Sequence, residues 1–219
     1  MAPLAKLKPL ALDSNLPLDL AADLDAAHTF REIFLERGYR LFVPPTVVTE
    51  LALLAEDESD TKKAALALRA LQFLREWDIE PFDLKSVEHG IAGEFARRLI
   101  AQGLLPDDEF NDGVILAETS LAKIPVLVTS DHHLLDISPE DLQPEFIAAD
   151  LAPVTIAHPK SLLRALRYAV AWPLGRPITA PCSLLPAPSS QLPAPISQLL
   201  TFRCRSSLLG VSKMIQSCS

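Results

Sequence analysis

The chain is poor in cysteine, has no surplus of positive charge and has no long uncharged apolar run in its first 171 residues. Its three cysteines among 219 residues, Cys182, Cys204 and Cys218, fall in no C-x-x-C or other metal-ligand spacing, which argues against a disulfide framework or a structural zinc site. Lys plus Arg number 20 against 28 Asp plus Glu, a formal charge of −8. That balance argues against a basic module that grips a nucleic-acid backbone through bulk charge. It leaves open a nuclease that carries its positive charge as bound metal. The opening MAPLAKLKPLALDSN has no apolar core followed by a small-residue cleavage site. No membrane partner and a reducing cytoplasm are therefore expected.

Charge divides the chain in two. Residues 1–171 hold all 28 acids, 16 basic residues and no cysteine, whereas residues 172–219 hold no acid, four basic residues (Arg176, Arg203, Arg205, Lys213) and all three cysteines. The second part also holds seven of the 19 prolines and nine serines. Its near-repeat LLPAPSSQLPAP favours an extended or disordered segment, a linker or partner-binding tail. A frameshift or read-through that appended unselected sequence would also explain the loss of acids. The expected organisation is one folded domain over 1–171 and a tail over 172–219.

Within 1–171, apolar runs alternate with helical periodicity. Lys6–Leu12 reads as a buried strand ending at Asp13-Ser14-Asn15. Leu18–Arg37 reads as one helix stopped by Gly38, and YRLFVPP as a second strand, with Thr46 capping the helix VVTELALLAE. Asp60–Trp77 reads as a helix, DIEPFDL as a short edge strand, and Ser86–Gln102 as a helix weakened by Gly90 and Gly93. GVILAETSLAK continues as a helix, IPVLVTSD is the clearest strand, and APVTIAHPKSLLRALRYAV closes with a strand and a helix. The alternation predicts an α/β fold, a three-layer α/β/α sandwich around a parallel sheet of four or five strands.

Such sheets place their sites at the C-terminal ends of strands, where strand order reverses. Asp13 and Asp131 each end an apolar run of this kind. Glu50 interrupts the apolar VVTELALL, where a charge needs a reason, and Asp112 opens the helix leading to the last clear strand. Four carboxylates gathered in one cleft repel one another unless a cation joins them. Hard divalent ions, Mg²⁺ or Mn²⁺, suit an all-oxygen set, and the implied chemistry is metal-assisted hydrolysis of nucleic acid. Asp108 and Glu109 read as exposed dipole partners at a helix start, and His132-His133 as loop histidines. His28, His89 and His158 read as surface or packing residues. The pairs Lys62-Lys63, Arg97-Arg98 and Arg164 with Arg167 read as solvated helix faces.

The motifs LALDSN (Asp13, Asn15), VVTEL (Glu50), FNDGVILAET (Asp112) and VLVTSD (Thr129, Asp131), in this order over residues 7–165, resemble the PIN-domain ribonucleases and in particular the VapC-type toxins of toxin–antitoxin pairs. The first motif departs from that pattern in being followed by Leu16-Pro17. The resemblance implies a Mg²⁺- or Mn²⁺-dependent endoribonuclease. It makes Asp13, Glu50, Asp112 and Asp131 the acidic metal site, with Asn15 and Thr129 holding carboxylates or water in place. It also implies an RNA substrate, an antitoxin partner and a homodimer. The rival reading is a non-catalytic PIN-like module that binds RNA or protein within a larger assembly. An aspartate-nucleophile phosphatase would need a second Asp where this chain has Asn15.

Overall fold

The computed structural model describes residues 8–171, with side chains to residue 166. The readings of residues 172–219 lie outside the described residues. Five strands form one sheet: β1 (Lys8–Leu12), β2 (Tyr39–Val43), β3 (Ile79–Pro81), β4 (Val126–Val128) and β5 (Thr155–Ala157). Every pairing is parallel and the order is β3-β2-β1-β4-β5. The helices between them are α1 (Asn15–Ala21), α2 (Asp25–Glu36), α3 (Pro45–Glu56), α4 (Thr61–Phe73), α5 (Ser86–Ala101), α6 (Phe110–Leu121), α7 (His132–Leu135), α8 (Pro139–Ala148) and α9 (Pro159–Ala171). The expected α/β class and central parallel sheet are what the chain adopts. No helix among the described residues is long and apolar enough to cross a membrane.

The central strands bury their C-terminal halves because those residues are mostly apolar. Leu10, Ala11, Leu12, Leu41, Val43, Leu127 and Val128 are all core residues. Pro9 is tolerated in β1 because β4 pairs only with Ala11 and Leu12, so Pro9 sits where the sheet has one neighbour. Chain progression moves outward from β1 through β2 to β3, then returns to the other side of β1 as β4 and β5. The order therefore reverses between β1 and β4, and their C-terminal ends lead into Asp13 and Thr129.

Several boundaries differ from the sequence expectation, and in two places an aspartate takes the left-handed conformation. The single helix over Leu18–Arg37 is broken into α1 and α2 at Asp23, which takes a left-handed φ of 55°. The Leu24 N–H then returns to the Asp19 carbonyl, closing α1. α4 ends at Phe73, Trp77 lies in the turn that follows it, packed in the core, and Asp78 at φ 54° closes that turn as the Ile79 N–H returns to the Leu74 carbonyl. Thr46 does not cap α3: Pro44 is the N-cap, Pro45 the first helical residue, and Thr46 the second. Pro17 sits in the first turn of α1, where its missing N–H removes no helical bond. α7 and α8 fill the stretch between β4 and β5 that the sequence pattern leaves unassigned.

One glycine matters for the site. A Cβ on Gly113 would stand 2.8 Å from both Cα and Cβ of Ala96, so α6 can lie against α5 only with glycine there. That close approach fixes the first turn of α6, which carries Asp112.

Candidate metal centre

Asp13 follows β1 directly, and its N–H extends the ladder by donating to the Val128 carbonyl at 3.0 Å. Its side chain is 3% exposed. Three groups donate closely to the carboxylate: the Ser14 N–H to Oδ1 at 2.7 Å, the Asn15 amide to Oδ2 at 3.0 Å, and the Thr129 hydroxyl to Oδ2 at 2.6 Å. Burial raises the Asp13 pKa and the Asp131 charge adds to this, while the three donors favour the charged form.

Thr129 links the two strand ends. While its hydroxyl donates to Asp13, its oxygen accepts the Asp131 N–H at 2.9 Å. Asp131 in turn caps α7, its Oδ1 accepting the His133 N–H at 2.8 Å. Strand β4 itself ends at Val128, so Thr129 to Asp131 form a turn between sheet and helix.

The other acids come from helices. Glu50 is half-buried on α3, and its Oε1 accepts the Asn111 amide at 2.9 Å. Burial raises its pKa; the Asn111 bond opposes this and the Asp13 charge reinforces it. Asp112, the third residue of α6, is 8% exposed, and its Oδ2 is buried without a hydrogen-bond partner. Burial, followed by the charges of Asp13, Asp131, Glu109 and Glu50, pushes its pKa up to about 8. All four acids singled out in the sequence thus converge on one edge of the sheet.

Glu109 joins them, contrary to expectation. Asp108 is exposed as anticipated, but Glu109 is half-buried at the N-cap of α6. One carboxylate oxygen from each of Glu109, Asp112 and Asp131 lies within 4.8 Å of the other two. The three-residue spacing from Glu109 to Asp112, which places two side chains on one helical face, was the available signal. The histidine pair also faces the acids. His133 Nε2 lies 3.5 Å from Glu109 and His132 Nδ1 lies 3.6 Å from Asp131, with the two rings 4.1 Å apart.

Some residues lie elsewhere. Arg98 is not simply solvated, since its guanidinium pairs with Glu145 of α8. His28 lies against Asp23 and Trp77, and the His158 ring nitrogen accepts the Lys160 N–H. His89 stands 3.8 Å from Glu118, a fully buried carboxylate that sequence reasoning passed over.

A hard divalent cation fits this donor set. Carboxylate oxygens of Glu109, Asp112 and Asp131 are close enough to meet at one ion, the charges of Asp13 and Glu50 act on the same group, and Asp112 presents a buried oxygen that no protein group satisfies. The surrounding charges, with burial, hold Asp112 toward its neutral form, and a counter-charge would reverse that.

A family model described as the PIN domain matches residues 10–138. No curated protein sequence matches the chain significantly. Among solved structures, the chain is similar to VapBC2 from Rickettsia felis bound to a DNA fragment from its promoter, at 18% identity and a TM-score of 0.49, over 68% of this chain and 98% of that one. It is also similar to FitAcB from Neisseria gonorrhoeae, at 19% identity and a TM-score of 0.41, over 68% and 97%. A third similarity is to FitAB bound to an IR36 DNA fragment, at 20% identity and a TM-score of 0.38, over 68% and 94%.

Proposed function

The chain belongs to the PIN-domain family, and from that premise we propose that it is a Mg²⁺- or Mn²⁺-dependent endoribonuclease acting as the toxin of a toxin–antitoxin pair. The observation that carries this reading is Asp112, a nine-tenths-buried carboxylate with an orphaned oxygen, set among Asp13, Glu50, Glu109 and Asp131. Retaining such a cluster with no cation to neutralise it would be costly, which disfavours the non-catalytic module.

In this reading Asp13, Glu50, Asp112 and Asp131 hold the metal, with Glu109 beside them. A cation held there would offset the charge of the scissile phosphodiester and lower the pKa of a water, so that its hydroxide form could attack phosphorus. The chain's own groups prepare the place. The Ser14 N–H and the Asn15 and Thr129 side chains hold Asp13 in one rotamer, and Thr129 ties it to the turn that bears Asp131. Asn111 holds Glu50 toward α6. The metal also offsets an acidic chain that would otherwise repel RNA. An antitoxin, a second copy of this chain and a cytoplasmic setting complete the proposal, as the VapC-type resemblance implies.

The test is cleavage of labelled RNA by purified protein with Mg²⁺ or Mn²⁺. Wild type should cut, and Asp13→Asn and Asp131→Asn should be folded but inactive. Undiminished cleavage in excess chelator would sink the metal mechanism, and RNA binding with no metal-dependent cleavage would favour the non-catalytic module. We further propose that residues 1–171 are the complete nuclease unit. A chain ending at residue 171 should then cut at the wild-type rate, and loss of cutting would assign the tail to the working protein.

A further inference from the structure

We infer that Glu118, which lies outside the set of acids placed at the metal centre, is a positioning residue for Glu50. The inference rests on the functional reading above, in which Glu50 helps hold the cation.

Glu118 is 1% exposed on α6, six residues beyond Asp112. An ionisable group in that position is costly unless it is well bonded. Its two oxygens are both spent on one residue: Oε2 accepts the Thr46 N–H at 3.0 Å and Oε1 accepts the Thr46 hydroxyl at 2.9 Å. Thr46 is the second residue of α3, and the N-cap of that helix, Pro44, offers no side-chain acceptor. A carboxylate from another helix therefore supplies the acceptor that the first turn of α3 lacks, at the end where the helix dipole favours negative charge. His89 of α5 stands 3.8 Å away, on the same carboxylate.

Thr46 lies four residues, one helical turn, before Glu50. Fixing the head of α3 thus fixes the depth and rotation at which Glu50 is presented. The same helix, α6, grips α3 a second time through the Asn111 amide on Glu50 Oε1. Two anchors seven residues apart on α6, Asn111 and Glu118, stand on either side of Asp112 in the chain and hold α3 to that helix. These bonds tie the part of α3 that bears Glu50 directly to the helix that bears Asp112.

Mn²⁺ binding to the full-length chain, followed by the loss of the free-ion paramagnetic resonance signal, tests this together with circular dichroism to verify folding. Glu118→Gln keeps the side-chain volume and one acceptor, so it should fold and bind Mn²⁺ about tenfold more weakly, the usual effect of removing an outer-shell partner. Thr46→Val, which deletes only the hydroxyl, should weaken binding in the same direction by less. Glu118→Gln added to Glu50→Gln should bind no more weakly than Glu50→Gln alone. Wild-type affinity in Glu118→Gln, or in Thr46→Val should the first variant not fold, would overturn the inference and leave the functional reading standing. So would a further loss in the double variant, because a merely structural residue acts independently of Glu50. No Mn²⁺ binding by wild type would overturn the functional reading and this inference with it.

Discussion

The two sides of the acidic edge are built differently. On the strand side, Asp13, Thr129 and Asp131 form a closed network in which each carboxylate accepts from at least one backbone N–H and Thr129 joins the two. On the helix side, Glu50 hangs from the second turn of α3, Glu109 and Asp112 from the N-cap and first turn of α6, and Asp112 keeps an oxygen with no partner. The strand side is finished by folding. The helix side is left short of positive charge, and that shortage is what a cation fills.

The largest expected effect comes from breaking the finished side. Asp13→Ala strips the acceptor from three donors, so it should abolish RNA cleavage and also lower stability by about 1–3 kcal/mol, the penalty for stranding buried donors. Denaturant unfolding checks the second part. Asp112→Asn should abolish cleavage as fully while stabilising the metal-free protein at neutral pH, so the two variants separate in sign.

The pH dependence of the metal-free protein sharpens the same contrast. Asp112 titrates at about 8 in the folded chain against an ordinary 3.8. Between those values the folded state holds a proton that the unfolded state has lost, so stability declines as pH rises across that window. In chelator, the wild-type melting temperature should fall between pH 5 and pH 8. Asp112→Asn should flatten the decline, and a profile identical to wild type would contradict the assignment.

Gly113→Ala tests the scaffold on the helix side. Its new methyl meets the Ala96 backbone, which cannot swing aside, so a loss of about 1–3 kcal/mol is expected together with weaker metal binding. The smallest effect belongs to Thr129→Val. It removes the bridge but none of the carboxylates, and should reduce Mn²⁺ affinity about tenfold with folding intact.

The strand side was legible in the sequence because its signal is local. An apolar run that stops at a polar turn bearing an acid marks the C-terminal end of a buried strand, with Asp13 directly after β1 and Asp131 three residues past Val128. The helix side was legible only in part. Glu50 betrayed itself as a charge inside an apolar helix, yet Glu118 carries the same mark in VILAETSL and was passed over. Glu109 was hidden by a sound alternative, since acids at helix starts are usually explained by the dipole. Helix boundaries failed where Asp23 and Asp78 adopt the left-handed conformation that sequence reasoning assigns to glycine. Pro144 inside α8 concealed that helix by the same logic.

The most direct measurement is anomalous diffraction from crystals of the full-length chain soaked in Mn²⁺. The account predicts a peak among Asp13, Glu50, Asp112 and Asp131, lost in Asp112→Asn crystals. A wild-type map with no peak at that edge, or a peak that persists unchanged in Asp112→Asn, would contradict it.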